Sequence, residues 1–258
     1  MRKIAVCGKG GSGKSMLVAL MGGAFEELGY RVLIVDADES NPGLFRLLGF
    51  GRPPRPLIDL LGGKKGVRQS LSSLPEKLSP REIPEEFLIS RGNLRLLAIG
   101  KIREALEGCA CPMGAVSREF LGKVELGEDE VVLVDMEAGV EHFGRGVEAN
   151  IDVLLALAEP SFESLEVACE AISLARDIGV RRAFAVLNKI PSEEVEAKLR
   201  EELRRRGAEV LGAIHYDPAV FEACLEGRAP DQSCRAAEEA RDIARRLAGI
   251  LRDMAEER

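Results

Sequence analysis

Apolar residues in this chain come in short unbroken runs. Those at 3–7, 31–35, 94–99, 131–135, 153–158, 182–187 and 209–214 are continuous rather than alternating, as expected of strands buried on both faces. Between most of them apolar positions recur at helical spacing, over 14–28, 162–178 and 192–206, and a last such stretch covers 233–256. Strand and helix in alternation predict an α/β fold, a doubly wound and mostly parallel sheet flanked by helices. No internal repeat is present, and the whole of 1–258 reads as one domain. Within it, 50–92 reads as a loop-rich insertion. The run Gly51-Arg52-Pro53-Pro54-Arg55-Pro56, the run Gly62-Gly63-Lys64-Lys65-Gly66, and Pro75, Pro80 and Pro84 break any long element. A surface excursion of short helices and mobile loop is the expectation there. The last helix carries Ile243, Leu247, Ile250, Leu251 and Met254 on one side, and its end is not basic. A helix docked on the core is therefore expected, rather than one lying on anionic lipid.

The first run leads into Gly8-Lys9-Gly10-Gly11-Ser12-Gly13-Lys14-Ser15, and Met16-Leu17-Val18-Ala19-Leu20 leads out. Every fixed position of G-x-x-x-x-G-K-[ST] is filled, in the strand–loop–helix setting a phosphate-binding loop needs. Glycines let backbone N–H groups turn toward an anion, and the helix N-terminus adds partial positive charge at the same point. The motif assigns nucleotide contacts to Gly8, Lys9, Gly10, Gly11, Ser12, Gly13, Lys14, Ser15 and Met16. Lys14 would reach the terminal phosphates, and the Ser15 hydroxyl would ligate Mg²⁺. Gly8, Gly10 and Gly13 also spell G-x-G-x-x-G, with Asp36 ending the next run, which is the dinucleotide fingerprint. That alternative leaves Lys14 and Ser15 without a task.

Carboxylates stand where a triphosphate site needs them. Asp36 and Asp38, in Asp36-Ala37-Asp38-Glu39-Ser40-Asn41-Pro42, point to one side at the carboxyl end of the second strand, where open α/β folds bind ligands. One could hold a Mg²⁺-bound water and the other could position the attacking water; helix capping is the plainer role for Ser40 or Asn41. The strand at 131–135 ends in Asp135, followed by Met136-Glu137-Ala138-Gly139, and an apolar strand ending in Asp is a usual second support for Mg²⁺. The Gly139 N–H could sense a γ-phosphate. Asn188 and Lys189 follow another strand, and the Asn188 amide could read an adenine edge or merely end the strand. Tyr216, Asp217 and Pro218 could wall the base or form a strand-to-helix turn.

Composition narrows the partners. A net charge of −7 argues against a general nucleic-acid binder. No run is long enough to cross a bilayer and none resembles a signal peptide, so a cytoplasmic protein acting away from the membrane is expected. The six cysteines then read as thiols rather than a disulfide framework. Cys7, Cys169, Cys224 and Cys234 are expected to be buried or incidental, and His142 to serve as a hydrogen-bonding residue.

Lys9 inside the loop, together with Lys14, resembles the deviant phosphate loop of the MinD/ParA/nitrogenase-iron-protein class of dimerising ATPases. Asp135-Met136-Glu137-Ala138-Gly139-Val140-Glu141-His142 and Gly108-Cys109-Ala110-Cys111-Pro112 narrow the likeness to the CooC type, the nickel-insertion ATPases that mature carbon monoxide dehydrogenase. The resemblance covers most of the chain and is least clear over 50–92. It implies an ATP-dependent homodimer that hydrolyses ATP to ADP, with carbon monoxide dehydrogenase as client. Lys9 would act across the dimer, Lys14 on phosphate and Asp38 on water. Ser15, Asp36, Asp38 and Asp135 would surround Mg²⁺, with Asp36 behind the others. The stretch after Asp38 departs from the Asp-Pro common in that class, which leaves the shape of this switch open.

The pair Cys109 and Cys111 offers two soft thiolates, suited to Ni²⁺, Zn²⁺, Cu(I) or an iron–sulfur cluster. A closed zinc site needs four ligands, and a two-fold dimer would bring two pairs together. Taken without the resemblance, a short Cys-x-Cys is equally two small thiols in a loop. Two other outputs stay open: a positioning or regulatory ATPase of the MinD kind, and a cluster-bridged electron donor of the nitrogenase-iron-protein kind.

Overall fold

A computed structural model describes residues 2–63, 75–101 and 111–257. The strands are β1 (Lys3–Gly8), β2 (Arg31–Asp36), β3 (Leu88–Arg91), β4 (Leu94–Ala98), β5 (Glu130–Asp135), β6 (Val153–Ala158), β7 (Arg182–Ile190) and β8 (Val210–His215). They form one sheet in the order β3-β4-β2-β5-β1-β6-β7-β8. Neighbours run parallel except β3 and β4. The helices are α1 (Lys14–Glu27), α2 (Leu44–Leu47), α3 (Leu57–Leu60), α4 (Cys111–Lys123), α5 (Phe162–Asp177), α6 (Glu193–Arg205), α7 (Pro218–Glu226) and α8 (Arg235–Glu256). Single 3₁₀ turns at Glu141–Arg145 and Val147–Asn150 follow β5.

The sheet has a core on each face, which is why its strands read as unbroken apolar runs. Ile4 and Val6 of β1 pack on one side with Leu17 and Met21 of α1 and Leu247 and Leu251 of α8. Ala5 and Cys7 pack on the other with Val116 and Phe120 of α4 and Ala168 and Ile172 of α5. The apolar stripe of α8 is thus buried against α1: Ile243, Leu247, Leu251 and Met254 are all nearly inaccessible. Among the described residues, no helix is long and apolar enough to cross a membrane.

Three features depart from the sequence pattern. Part of 50–92 is sheet and core, not surface loop. Leu57, Ile58, Leu61, Ile83 and Phe87 are buried in the core on the α4 face. Leu88–Arg91 forms an antiparallel hairpin with β4, turning at Gly92, where φ is +58°. The proline and glycine density hid a strand of four residues whose burial alternates too briefly to show. That strand lies on the sheet edge, separated from β1 by β4, β2 and β5. Second, the turn-rich stretch around Cys111 opens α4, with Pro112 in the first turn, where its missing N–H costs nothing. Third, Cys224, expected to be buried or incidental, is exposed on the short helix α7, where it lines a cavity.

Candidate functional site

Residues 8–15 join β1 to α1 at the carboxyl edge of the sheet, in the middle of the strand order. The loop closes on itself through Ser12 N–H to Lys9 O (3.2 Å) and enters the helix through Leu17 N–H to Gly13 O (2.9 Å). Gly8, Gly11 and Gly13 have φ of +144°, +78° and +100°, which aim their N–H groups inward. A Cβ on Gly13 would collide with Asn188 Nδ2. Lys14 is buried, whereas the Lys9 ammonium is exposed and lies 3.6 Å from Glu163 Oε2 of its own chain.

Three carboxylates converge beside the loop. Ser15 Oγ donates to Asp135 Oδ2 at 2.6 Å, and Asn41 Nδ2 donates to Ser15 Oγ at 2.7 Å. Asp135 is fully buried, and its Oδ1 has no hydrogen-bond partner. Burial, then the charge of Asp36, lifts its pKa to about 7 against the pull of the Ser15 hydroxyl. A buried carboxylate with one orphaned oxygen, next to a serine hydroxyl, is a donor set that a hard divalent cation fits. Asp38 spends Oδ1 on a turn, accepting from Ser40 N (2.9 Å), Ser40 Oγ (2.6 Å) and Asn41 N (3.2 Å). Its Oδ2 remains for a water or an ion.

The sequence did not mark Lys101. Its Nζ lies 2.8 and 2.7 Å from the two oxygens of Asp36 and donates to the carbonyls of Asp38 and Asn41, both at 2.5 Å. Asp36 is therefore paired with a cation of its own chain. Burial still raises its pKa to about 6, with Lys101 opposing. The available signal was positional: Gly100-Lys101 follows the β4 run at the same sheet edge where Asn188-Lys189 lie among the last residues of β7, inside the strand rather than after it.

Gly139 N–H donates to Gly8 O at 3.1 Å, so a γ-phosphate could claim it only by breaking that bond. The Gly139 carbonyl lies 3.0 Å from His142 Nε2.

On the other side of the loop is a cavity of about 440 Å³, lined in part by Gly13, Met16, Asn188, Lys189, Tyr216 and Asp217. Asn188 Nδ2 donates to Ser12 O (2.7 Å), and Lys189 Nζ reaches Gly11 O (2.5 Å) and Glu159 (3.0 Å). Both side chains thus brace the phosphate loop from the cavity wall. Asp217 caps α7. Its Oδ1 accepts from Ala219 N (2.9 Å) and its Oδ2 from Ala236 N (3.0 Å), with Pro218 in the helix's first turn. Burial pushes the Asp217 pKa up, but those N–H groups outweigh it and hold the carboxyl below its ordinary value. The geometry favours the strand-to-helix turn here, with Tyr216 half exposed at the cavity mouth. Asp217→Ala should lower stability by about 1–2 kcal/mol in denaturant titration, the size of a lost cap, with less effect on nucleotide affinity than any change in the phosphate loop.

Cys109 lies outside the described residues, and Cys111 opens α4. Among the described residues, no three His, Cys, Asp or Glu side chains are grouped to share one metal ion. The donor set beside the loop is therefore Asp135 with Ser15, and Asp36 is taken by Lys101 rather than joining it as expected.

The CobQ/CobB/MinD/ParA nucleotide binding domain matches residues 3–230. An uncharacterised ATP-binding protein of Methanocaldococcus jannaschii is 42% identical over 74% of this chain and 80% of its own length. The carbon monoxide dehydrogenase accessory protein CooC of Rhodospirillum rubrum is 36% identical over 87% of this chain and 88% of its own. The cell division protein MinD of Aquifex aeolicus, solved with MinC, superposes with a TM-score of 0.71 at 26% identity, over 96% of both chains. Likeness that runs nearly end to end, through both the phosphate loop and the carboxylate strands, makes this chain a member of the CobQ/CobB/MinD/ParA nucleotide-binding family and, within it, of the CooC type.

Proposed function

We propose that this protein is a Mg²⁺-dependent ATPase that works as a metallochaperone, delivering nickel to carbon monoxide dehydrogenase. The observation that carries the ATPase reading is the orphaned, buried Asp135 oxygen beside Ser15 at the mouth of the phosphate loop. Asp135 and Ser15 would hold the ion, which neutralises phosphate charge when bound. Lys14 grips phosphate, Asp38 orients water, and the cavity beside Asn188 takes the base. The exposed Lys9 would leave Glu163 and reach a second copy's nucleotide. An ion pair this exposed costs little to break.

Kinship with CooC supports the client and the cargo. Nickel or zinc is then a substrate held by Cys109 and Cys111 of two subunits, with nucleotide and metal affinities coupled in both directions. Magnesium-dependent release of phosphate from ATP, abolished by Lys14→Ala, tests the enzymatic half. Nickel and zinc titrations with ATP analogues or ADP test the other. The expected result is one ion per two chains, with affinity that depends on the nucleotide. One ion per chain, retained after both cysteines are changed to serine, would overturn it.

A further inference from the structure

The turn at 38–41 carries Asp38, which the proposed mechanism uses, and Asn41, which donates to Ser15. Asp38 and Glu39 are buried in it and Ser40 is exposed. Its order within the chain comes from Asp38 Oδ1, which gathers Ser40 and Asn41. Its attachment to the sheet comes from elsewhere. The Lys101 ammonium sits behind the turn and meets both oxygens of Asp36 and the carbonyls of Asp38 and Asn41. Those are more acceptors than an ammonium has protons, so its donors are saturated. The side chain is 18% exposed, and Asp36, its charge partner, 6%. Such a pair is screened far less than a surface one. Lys101 follows the end of β4, and β4 is held to β2 in register up to Asp36 opposite Ala98. The ammonium is thus a fixed point on the sheet, pinning both ends of the turn.

From there a short chain of contacts reaches the chemistry. Lys101 holds Asn41 O; Asn41 Nδ2 donates to Ser15 Oγ; and Ser15 Oγ donates to Asp135.

We infer that Lys101 is a positioning residue for hydrolysis, holding the 38–41 turn so that Asp38 and Asn41 stand over the phosphate loop. The inference rests on the ATPase reading above. Lys101 touches neither the phosphate loop nor the base cavity, so its loss should affect turnover rather than binding. Lys101→Met keeps the length of the stem and removes the charge and the donors. It should lower kcat by roughly 100-fold, the effect of ångström-scale misplacement, with ADP affinity unchanged by calorimetry. Lys101→Arg, which restores charge and donors, should recover much of the loss. Wild-type kcat in the Met variant would overturn the inference. So would a fall in ADP affinity that parallels kcat, or an Arg variant no better than Met. If the Met variant does not fold, Lys101→Gln gives the same readings. Wild-type protein that fails to hydrolyse Mg·ATP would defeat the underlying reading; normal wild-type turnover that ignores Lys101 would defeat this inference alone.

Discussion

Changing Asp135 to asparagine should abolish ATP hydrolysis and, in metal-free protein above neutral pH, make the fold more stable. The two effects share one cause. Burial and the neighbouring Asp36 raise the Asp135 pKa to about 7 from an ordinary 3.8. The folded chain therefore holds this proton more tightly than the unfolded chain does. Stability at this locus is full below the unfolded value, declines as pH rises through the gap, and is lost above about 7. A gap of this size corresponds to roughly 4 kcal/mol, and Asp36, raised to about 6, titrates in the same window. Asparagine cannot ionise, so the penalty disappears. Its amide inherits the unpartnered position of Oδ1, which costs about 1–3 kcal/mol. The net expectation is a gain of about 2 kcal/mol at pH near 8 and a loss of about 1–3 kcal/mol near pH 4. Thermal melts of both proteins across that range, with and without Mg²⁺, measure it. Mg²⁺ should stabilise the wild type far more than the variant, since the ion needs the carboxylate. Parallel pH profiles would show that Asp135 carries no such penalty.

Gly8→Ala should be the most damaging single methyl added to the phosphate loop. Gly8 has φ of +144°, and a Cβ there would lie 2.6 Å from Leu157 O, a backbone oxygen held in the β1–β6 ladder. Neither the dihedral nor the contact can relax without parting the two central strands. A cost of about 3 kcal/mol or more is expected, since strain and overpacking add. Gly11→Ala is the control. Its φ is +78°, but nothing lies within 4 Å of the added carbon. Only the left-handed penalty of about 1–2 kcal/mol should remain. Urea titrations of the two variants separate the terms; equal losses would mean that Leu157 yields.

What the sequence revealed and what it hid divide along physical lines. Central strands covered on both faces are apolar along most of their length, so β1, β2 and β4 to β7 announce themselves, and β8 at the far edge does as well. The phosphate loop does too, because its backbone geometry tolerates few residue types. Asp135 could be placed because a charge ending an apolar strand has little reason to be there except chemistry. An edge strand has no such constraint: Leu88–Arg91 needs one buried side and four residues, and neighbouring prolines mask it. Lys101 was illegible for another reason. Its role is set by what one distant stretch, 36–41, brings to its ammonium, and no local spacing encodes that meeting. Asn188 and Lys189 fall between. Their position at the end of an apolar run was visible, but that β7 continues through them and which carbonyls they brace were not.

The strand that delivers the phosphate loop is the first in the chain and sits between β5 and β6, whose residues come more than a hundred positions later. Helix α1 likewise waits for α8 to cover it. A ribosome therefore extrudes the nucleotide-gripping segment long before its supports exist. Until α8 emerges, Ile4, Val6, Leu17 and Met21 lack part of their cover, a sticky surface that holding factors in the cell would have to shield. Such distant pairings also make slow folding the expectation, so the ability to grip ATP arises only after β5, β6 and α8 have joined β1 and α1.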